Sequence, residues 1–86
     1  MIKNKSHEIA IKKFSSKVNS LLKNNLVDII IYGSVARGEA TTDSDIDVIV
    51  VVKRNAFKNQ MKLAEIAFDI LLETGEYISV QTMKSK

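Results

Sequence analysis

The sequence contains no cysteine, no proline and a single histidine among its 86 residues. Without cysteine the chain can form neither disulfides nor thiolate metal sites. His7 has no cysteine or second histidine with which to share a zinc ion. These absences exclude a disulfide-stapled secreted scaffold and the common zinc sites.

Long apolar runs are also missing. The longest, residues 29–32 and 48–52, have the length of a strand, whereas a helix that spans a bilayer needs about 20 apolar residues. The first five residues lack the apolar segment of a signal peptide. We therefore expect a cytoplasmic protein that does not enter a membrane.

The sequence has no large excess of charge of one sign, since the net charge is only +3 and the lysines are scattered. The sequence has no dense Lys/Arg cluster with interleaved aromatic residues, so a solvated surface is favoured over nucleic-acid binding. A chain of 86 residues forms one domain, residues 1–86, and a domain this small is only marginally stable alone. We therefore expect contact with a partner protein or a homo- or hetero-oligomer.

Hydrophobic periodicity predicts the order α-β-short α-β-α-β. The predicted helices cover residues 6–24 and 57–73, and the predicted strands cover residues 26–32, 45–53 and 76–83. The strand over 45–53 is apolar on both faces after Asp47, which predicts a central strand that is covered on both sides. The fold class is therefore α+β (α/β), with a small mixed β-sheet flanked by helices.

Each predicted helix has an apolar stripe at three- and four-residue spacing, which we expect to face the core. In the first helix the stripe consists of Ile11, Phe14, Val18, Leu21 and Leu22, and in the second it consists of Met61, Ala64, Phe68, Leu71 and Leu72. Gly75 follows the second helix, at a place where a left-handed capping residue is expected.

Residues 33–39 are predicted as a turn with a short helical piece. Gly33 and Ser34 lie at its start, directly after the predicted strand. The free backbone N–H groups at the start of a helix attract anions, and a glycine lets the backbone approach a ligand closely. Ser34 adds a hydroxyl donor and Arg37 a charged one. These features suit a phosphate-binding turn, but a Gly-Ser pair by itself is more typical of a plain tight turn, and Arg37 could pair with Glu39 instead.

Asp45 and Asp47 are two apart on the next strand, so their side chains point to the same face. Two adjacent carboxylates repel each other unless a cation lies between them, and Mg²⁺ is typically held by one or two carboxylates together with substrate phosphates. Two solvated aspartates at the start of a strand are the alternative. Because Asp47 occupies a place where the pattern calls for an apolar residue, a metal site is favoured. Asp43 is expected in the preceding loop, with a turn-forming or capping role.

These motifs together resemble the minimal nucleotidyltransferase family, which belongs to the superfamily of DNA polymerase β and kanamycin nucleotidyltransferase. The resemblance rests on Gly33-Ser34, ten intervening residues, and Asp45-x-Asp47 within YGSVARGEATTDSDIDVIVV, and it covers nearly the whole chain. It implies the nucleotidyltransferase fold, phosphate binding by Gly33 and Ser34, and Mg²⁺ ligation by Asp45 and Asp47.

The resemblance also implies an activity and a partner. Such proteins transfer a nucleoside monophosphate from an NTP, here ATP, to a hydroxyl and release pyrophosphate. The minimal members are similar to the antitoxins of toxin–antitoxin pairs, whose partner is an all-helical HEPN-domain toxin. Some of them silence that toxin by adenylylating it.

The sequence departs from the family pattern at one place. The family has a third carboxylate on a later strand, which helps hold the metal and serves as the base. Here Ser79 stands at that place, and Gln81 is the next residue on the same face, so neither supplies a carboxylate. The alternatives are an enzyme, slow or assisted by its partner, and a nucleotide-binding antitoxin that neutralises the toxin by binding alone. The strand could also be aligned with the family pattern wrongly by one or two residues, which would keep the chain an enzyme.

Overall fold

A computed structural model describes residues 5–39 and 45–86 of the chain. The elements are α1 (Lys5–Leu22), a 3-10 turn (Lys23–Asn25), β1 (Leu26–Tyr32), α2 (Gly33–Arg37), β2 (Ile46–Val52), α3 (Ala56–Thr74) and β3 (Ile78–Lys84). Their order is the predicted one, and β1 has the predicted bounds. In these two stretches no helix is both long and apolar enough to cross a bilayer.

Within the described residues the strands form one mixed sheet in the order β1-β2-β3. β1 pairs with β2 antiparallel, and Tyr32 lies opposite Asp47. β3 pairs with β2 in parallel, which requires a long crossover connection, and α3 supplies it. The predicted α+β class, a small mixed sheet with helices packed on it, is confirmed.

The core lies between one face of the sheet and the helices α1 and α3. The even-numbered residues of β2 alternate onto this face, and all four are fully buried: Ile46, Val48, Val50 and Val52. Phe14 of α1 and Leu63 and Ile70 of α3 belong to the same buried cluster. Burial of an aliphatic or aromatic side chain contributes roughly 1.5–3 kcal/mol, so this layer is what holds the sheet and helices together.

The other face of β2 differs from the prediction. Asp47, Ile49 and Val51 are only half-buried, whereas their even-numbered neighbours are fully buried. The described residues therefore do not cover β2 on both sides, as the apolar pattern had led us to expect. The uncovered face is the one that carries Asp47.

The predicted core face of α3 is wrong. Met61, Phe68 and Leu72 are 74%, 56% and 70% exposed, and Ala64 is exposed as well. Leu63, Ala67 and Ile70 face the core instead. The helix carries apolar residues on two sides, so its periodicity alone fits two orientations, and only the packing against the sheet distinguishes them.

The stripe of α1 is partly correct. Phe14, Val18 and Leu22 are buried as predicted, but Leu21 is 39% exposed. The buried face also continues towards the start of the helix through Ala10 and His7.

Gly75 ends α3 as predicted. Its φ is +79°, in the left-handed region, and its N–H donates to the carbonyl oxygen of Leu71 over 2.8 Å. Glycine adopts this conformation without the steric cost that a Cβ imposes.

Candidate functional site

The structure brings Gly33 into direct contact with Asp47. β1 ends at Tyr32, which lies opposite Asp47 on β2, so the next residue comes close to the Asp47 side chain. A Cβ built on Gly33 would collide with the Oδ2 atom of Asp47 and lie 3.3 Å from its Cγ atom. The φ of Gly33 is +77°, which other residues rarely adopt. Both space and backbone conformation therefore require glycine at this position.

Ser34 lies in the first turn of α2, directly after that contact. The helix runs over only Gly33–Arg37 and ends at Gly38, which has a φ of 74° and whose N–H bonds back to the carbonyls of Ser34 and Val35. Val35 is buried in the core and anchors the turn, while Ser34 remains half-buried. The first N–H groups of a helix have no acceptor within the helix. The turn therefore presents donors beside the Asp47 carboxylate.

Asp45 and Asp47 flank a buried residue at the start of β2. Ile46 between them is fully buried, and its N–H donates to the carbonyl oxygen of Tyr77 over 3.0 Å. Because side chains alternate along a strand, Asp47 lies on the face opposite to the core, while Asp45 directly precedes the first residue of β2. Asp45 is exposed and Asp47 half-buried. Asp43, predicted as a loop residue, lies outside the described residues.

The pairing of β2 with β3 shows which residue stands beside Asp47. Ser79 is its partner in the parallel ladder, and Gln81 is the partner of Ile49. The family's third carboxylate is expected at the first of these places, and a hydroxyl occupies it here. Over residues 5–39 and 45–86 no group of three or more His, Cys, Asp or Glu side chains is arranged to hold a metal ion.

The acidic residue nearest to Ser79 in sequence, Glu76, is engaged elsewhere. Its Oε2 atom lies 3.1 Å from the Nε2 atom of His7, and its Oε1 atom accepts a hydrogen bond of 2.9 Å from the hydroxyl of Ser6. Both partners belong to α1, on the core side of the sheet. Glu76 is therefore tied to the helix layer and does not replace the missing carboxylate. No sequence pattern indicated the pair of His7 with Glu76, since the two residues are far apart in the chain.

Glu73 is held by α1 in a similar way, but at the surface. The Nζ atom of Lys17 lies 2.9 Å from its Oε2 atom, and that of Lys13 lies 3.9 Å from its Oε1 atom. The hydrogen bond with Lys17 lowers the pKa of Glu73 and raises the pKa of Lys17. This pair links α1 to α3 and lies outside the candidate site.

The Arg37 side chain pairs with Glu39, which is one of the two alternatives that the sequence left open. Its Nε atom donates to the Glu39 Oε1 atom over 2.9 Å, and both side chains are largely exposed. An exposed ion pair contributes at most about 1 kcal/mol, so it is readily exchanged for a stronger anion.

Sequence reasoning passed over Tyr32, which lies directly opposite Asp47 in the antiparallel ladder. Residues that oppose each other in this way have side chains on the same face, so the Tyr32 side chain shares the uncovered face with Asp47 and Ser79. The signal was available in the sequence, because Tyr32 immediately precedes Gly33 at the end of the predicted strand.

Several known proteins are similar to this chain in sequence. A model of the family described as nucleotidyltransferase domain matches residues 11–86. A curated relative from Methanocaldococcus jannaschii, named "Putative protein adenylyltransferase MJ0141", is 36% identical over 69 residues, which cover 72% of this chain and 70% of the relative. No solved structure is significantly similar to the chain.

Two further relatives from the same organism bear the same kind of name. "Putative protein adenylyltransferase MJ0604" is 41% identical over 46 residues, covering 54% of this chain and 46% of the relative. "Putative protein adenylyltransferase MJ1305" is 36% identical over 61 residues, covering 71% of this chain and 41% of the relative. The match thus spans less than half the length of these two proteins.

Proposed function

Since the chain belongs to the nucleotidyltransferase domain family and is an enzyme of that class, we propose that it transfers AMP from ATP to a hydroxyl of a partner protein in the cytoplasm. The observation that carries the proposal is the contact between Gly33 and Asp47, which joins the phosphate-binding turn to the carboxylates. The names of three relatives support the choice of AMP and of a protein acceptor.

We assign the metal-binding role to Asp45 and Asp47. Nucleotidyltransferases generally use divalent metal ions, and carboxylate oxygens are the ligands that Mg²⁺ prefers. The donor set therefore fits Mg²⁺, with substrate phosphates and water completing its coordination. When bound, the ion neutralises charge on the triphosphate and on the leaving pyrophosphate.

Gly33, Ser34 and Arg37 bind the nucleotide in this proposal. The backbone N–H groups at the start of α2 and the hydroxyl of Ser34 donate to phosphate oxygens. Arg37 exchanges its exposed partner Glu39 for a phosphate, which carries more charge. Gly33 keeps the turn close enough to Asp47 for both groups to act on one triphosphate.

The reaction is a displacement at the α-phosphorus of ATP. The acceptor oxygen forms a bond to that phosphorus, the bond to the bridging oxygen breaks, and pyrophosphate leaves with the bonding electrons. The proton of the acceptor hydroxyl passes to water, because Ser79 beside Asp47 offers no carboxylate to receive it. Loss of a positioned general base costs about 10²–10⁴ in rate, so we expect slow turnover.

We propose that the acceptor is a HEPN-domain toxin, with this chain as its antitoxin. The support for this step is the resemblance of the motif to the minimal nucleotidyltransferases. Adenylylation of the toxin would then silence it.

The identity of Ser79 favours a second candidate function. A chain that holds Mg–ATP without a base could act as a nucleotide-binding antitoxin, which neutralises the toxin by binding alone. The two candidates share the site and differ in whether AMP is transferred.

One experiment separates them. The chain is purified with the protein encoded beside it and incubated with ATP labelled on the α-phosphate and with Mg²⁺, and label on the partner is measured. We expect slow labelling by the wild type and none by Asp45→Asn/Asp47→Asn. The control Glu8→Gln/Asp28→Asn removes the same charge at exposed positions away from the site and should label normally.

Two results would contradict the proposal. Neutralisation of the partner without any labelling would refute transfer and support the binding function. Equal Mg–ATP binding by the wild type and by Asp45→Asn/Asp47→Asn would refute the metal assignment.

A further inference from the structure

The outer face of α3 consists of Phe57, Met61, Ala64, Phe68 and Leu72. These residues recur at spacings of three and four, so they form one stripe along the helix. Phe57 is 94% exposed, and the other large members are 56–74% exposed. A continuous apolar stripe of this length is unusual on the surface of a small monomer and is typical of an interface.

We infer that the outer face of α3 is the dimerisation surface of this chain, and that a second copy packs on it antiparallel about a twofold axis at Ala64. A twofold axis brings the same patch of both copies together, so the patch must be complementary to itself. The outer face of α3 meets this requirement, because Phe57 comes opposite Leu72 of the second copy and Met61 comes opposite Phe68. Ala64 meets its own equivalent at the centre, where a small side chain lets the two helices approach.

The charges beside the stripe favour a second copy in this orientation. Lys58, Lys62, Glu65 and Asp69 each follow a member of the stripe by one residue, and all four are exposed. The basic pair lies in the first half of the helix and the acidic pair in the second. Antiparallel packing about a twofold axis perpendicular to the helices keeps this flank on the same side of the interface in both copies, so it brings each basic pair beside the acidic pair of the other copy.

The register of the charged pairs agrees with that of the apolar pairs. An axis at Ala64 that brings Phe57 opposite Leu72 also brings Lys58 near Asp69 and Lys62 near Glu65. Glu73, the next acidic residue along, is already paired with Lys17 of α1. One twofold axis thus satisfies the apolar stripe and its charged flank together.

The dimer leaves the candidate site open. α3 covers the core face of the sheet, and its outer face points away from the sheet. Asp47 and Ser79 lie on the opposite, uncovered face. Both sites of the dimer therefore remain accessible to nucleotide and acceptor, so the inference goes beyond the proposed function and can fail independently of it.

Sedimentation equilibrium of the full chain tests the surface. We expect the mass to rise with concentration from 9.6 kDa towards twice that value. The variant Lys58→Glu/Lys62→Glu makes the flank wholly acidic, and Glu65→Lys/Asp69→Lys makes it wholly basic. Each variant alone should dimerise at least tenfold more weakly than the wild type, because its like charges then face each other.

A mixture of the two variants provides the decisive measurement. Antiparallel packing predicts that the acidic and basic variants form a mixed dimer at least tenfold tighter than either variant forms with itself. The control Glu8→Lys/Lys12→Glu exchanges charges on exposed positions of α1 and should dimerise like the wild type. Circular dichroism confirms that each variant is folded.

Three results would overturn the inference. A wild-type chain that stays at 9.6 kDa at every concentration has no dimer on this face. Flank variants that dimerise as tightly as the wild type place the interface elsewhere. A mixture no tighter than the separate variants refutes the antiparallel arrangement.

Discussion

Ser79 lies beside Asp47 in the parallel ladder, and we propose that a carboxylate at this place would receive the proton of the acceptor. Replacing it by aspartate should therefore supply the missing base and a further metal ligand. We expect Ser79→Asp to raise the rate of AMP transfer by about 10²-fold, in line with the usual contribution of general base catalysis. Single-turnover transfer of labelled AMP to the partner measures the change.

Gln81→Asp is the matched control for this substitution. It introduces the same side chain on the same strand and face, but beside Ile49 instead of Asp47. It should leave transfer at the wild-type rate. A rate for Ser79→Asp no higher than that of the wild type would refute the role assigned to this position.

Gly33→Ala tests the contact that joins the turn to the carboxylates. The new Cβ would collide with the Asp47 carboxylate, and the alanine must also adopt a φ of +77°. The left-handed conformation alone costs roughly 1–2 kcal/mol, and the collision displaces either Asp47 or the start of α2. We expect Mg–ATP binding to weaken at least tenfold, as measured by calorimetric titration.

Gly75→Ala separates the two effects, because Gly75 has a similar φ of +79° but no atom of a residue beyond its immediate neighbours lies within 4 Å of the position that a Cβ would take. It should lose a similar free energy of unfolding from backbone strain and bind Mg–ATP normally. Similar binding by the two alanine variants would show that the contact between Gly33 and Asp47 does not matter for the nucleotide.

At the scale of elements, the two sides of α3 should contribute differently to the free energy of unfolding. Leu63 is fully buried against the sheet, so Leu63→Ala removes contacts and leaves a cavity. We expect a loss of about 2–5 kcal/mol in the free energy of unfolding. Urea denaturation followed by circular dichroism measures it.

Ile9→Ala on α1 is the control, because Ile9 is 44% exposed and lies away from the outer face of α3. It should lose much less stability than Leu63→Ala. A loss for Leu63→Ala as small as the loss for Ile9→Ala would contradict the placement of Leu63 in the core.

The sequence predicted which elements form better than which sides they bury. β1 was predicted with its bounds because β-branched residues fill it and Gly33 stops it. The buried face of α3 could not be predicted, because Met61 and Leu63 are both apolar and only the sheet decides between them. The prediction that β2 is covered on both faces was wrong for a related reason. Ile49 and Val51 are apolar, yet they are only half-buried.

The residues proposed for the candidate site form short local patterns, whereas the contacts around them depend on the fold. The spacing of Asp45 and Asp47 is a local property of the sequence, and the ladder pairs Ser79 with Asp47. The contact of Gly33 with Asp47 depends on how two strands pair, and the pair of His7 with Glu76 depends on the packing of α1. Neither leaves a pattern in a single stretch of sequence.

At the scale of the whole molecule, ligand binding should be visible as stability. A ligand that binds only the folded state stabilises it by about 2.7 kcal/mol when present at about 100 times its dissociation constant. For a domain of this size each kcal/mol raises the melting temperature by roughly 4–8 °C. We expect ATP with Mg²⁺ to raise the melting temperature clearly, as measured by calorimetry.

Chelation of the metal provides the internal control. ATP with excess EDTA should give a much smaller shift, and Asp45→Asn/Asp47→Asn should show little difference between the two conditions. An equal shift with and without Mg²⁺ in the wild type would exclude a metal-dependent nucleotide site.

The mixed pairing of the sheet affects how such a protein can change over evolutionary time. The contact between Gly33 and Asp47 depends on the antiparallel pairing of β1 with β2. Ser79 belongs to β3, which follows α3 in the chain and pairs with β2 in parallel. Substitutions on β3 can therefore alter turnover without disturbing the glycine–aspartate contact. In the proposed mechanism, one substitution at Ser79 would therefore be enough to convert a chain that only binds the nucleotide into one that also transfers AMP efficiently.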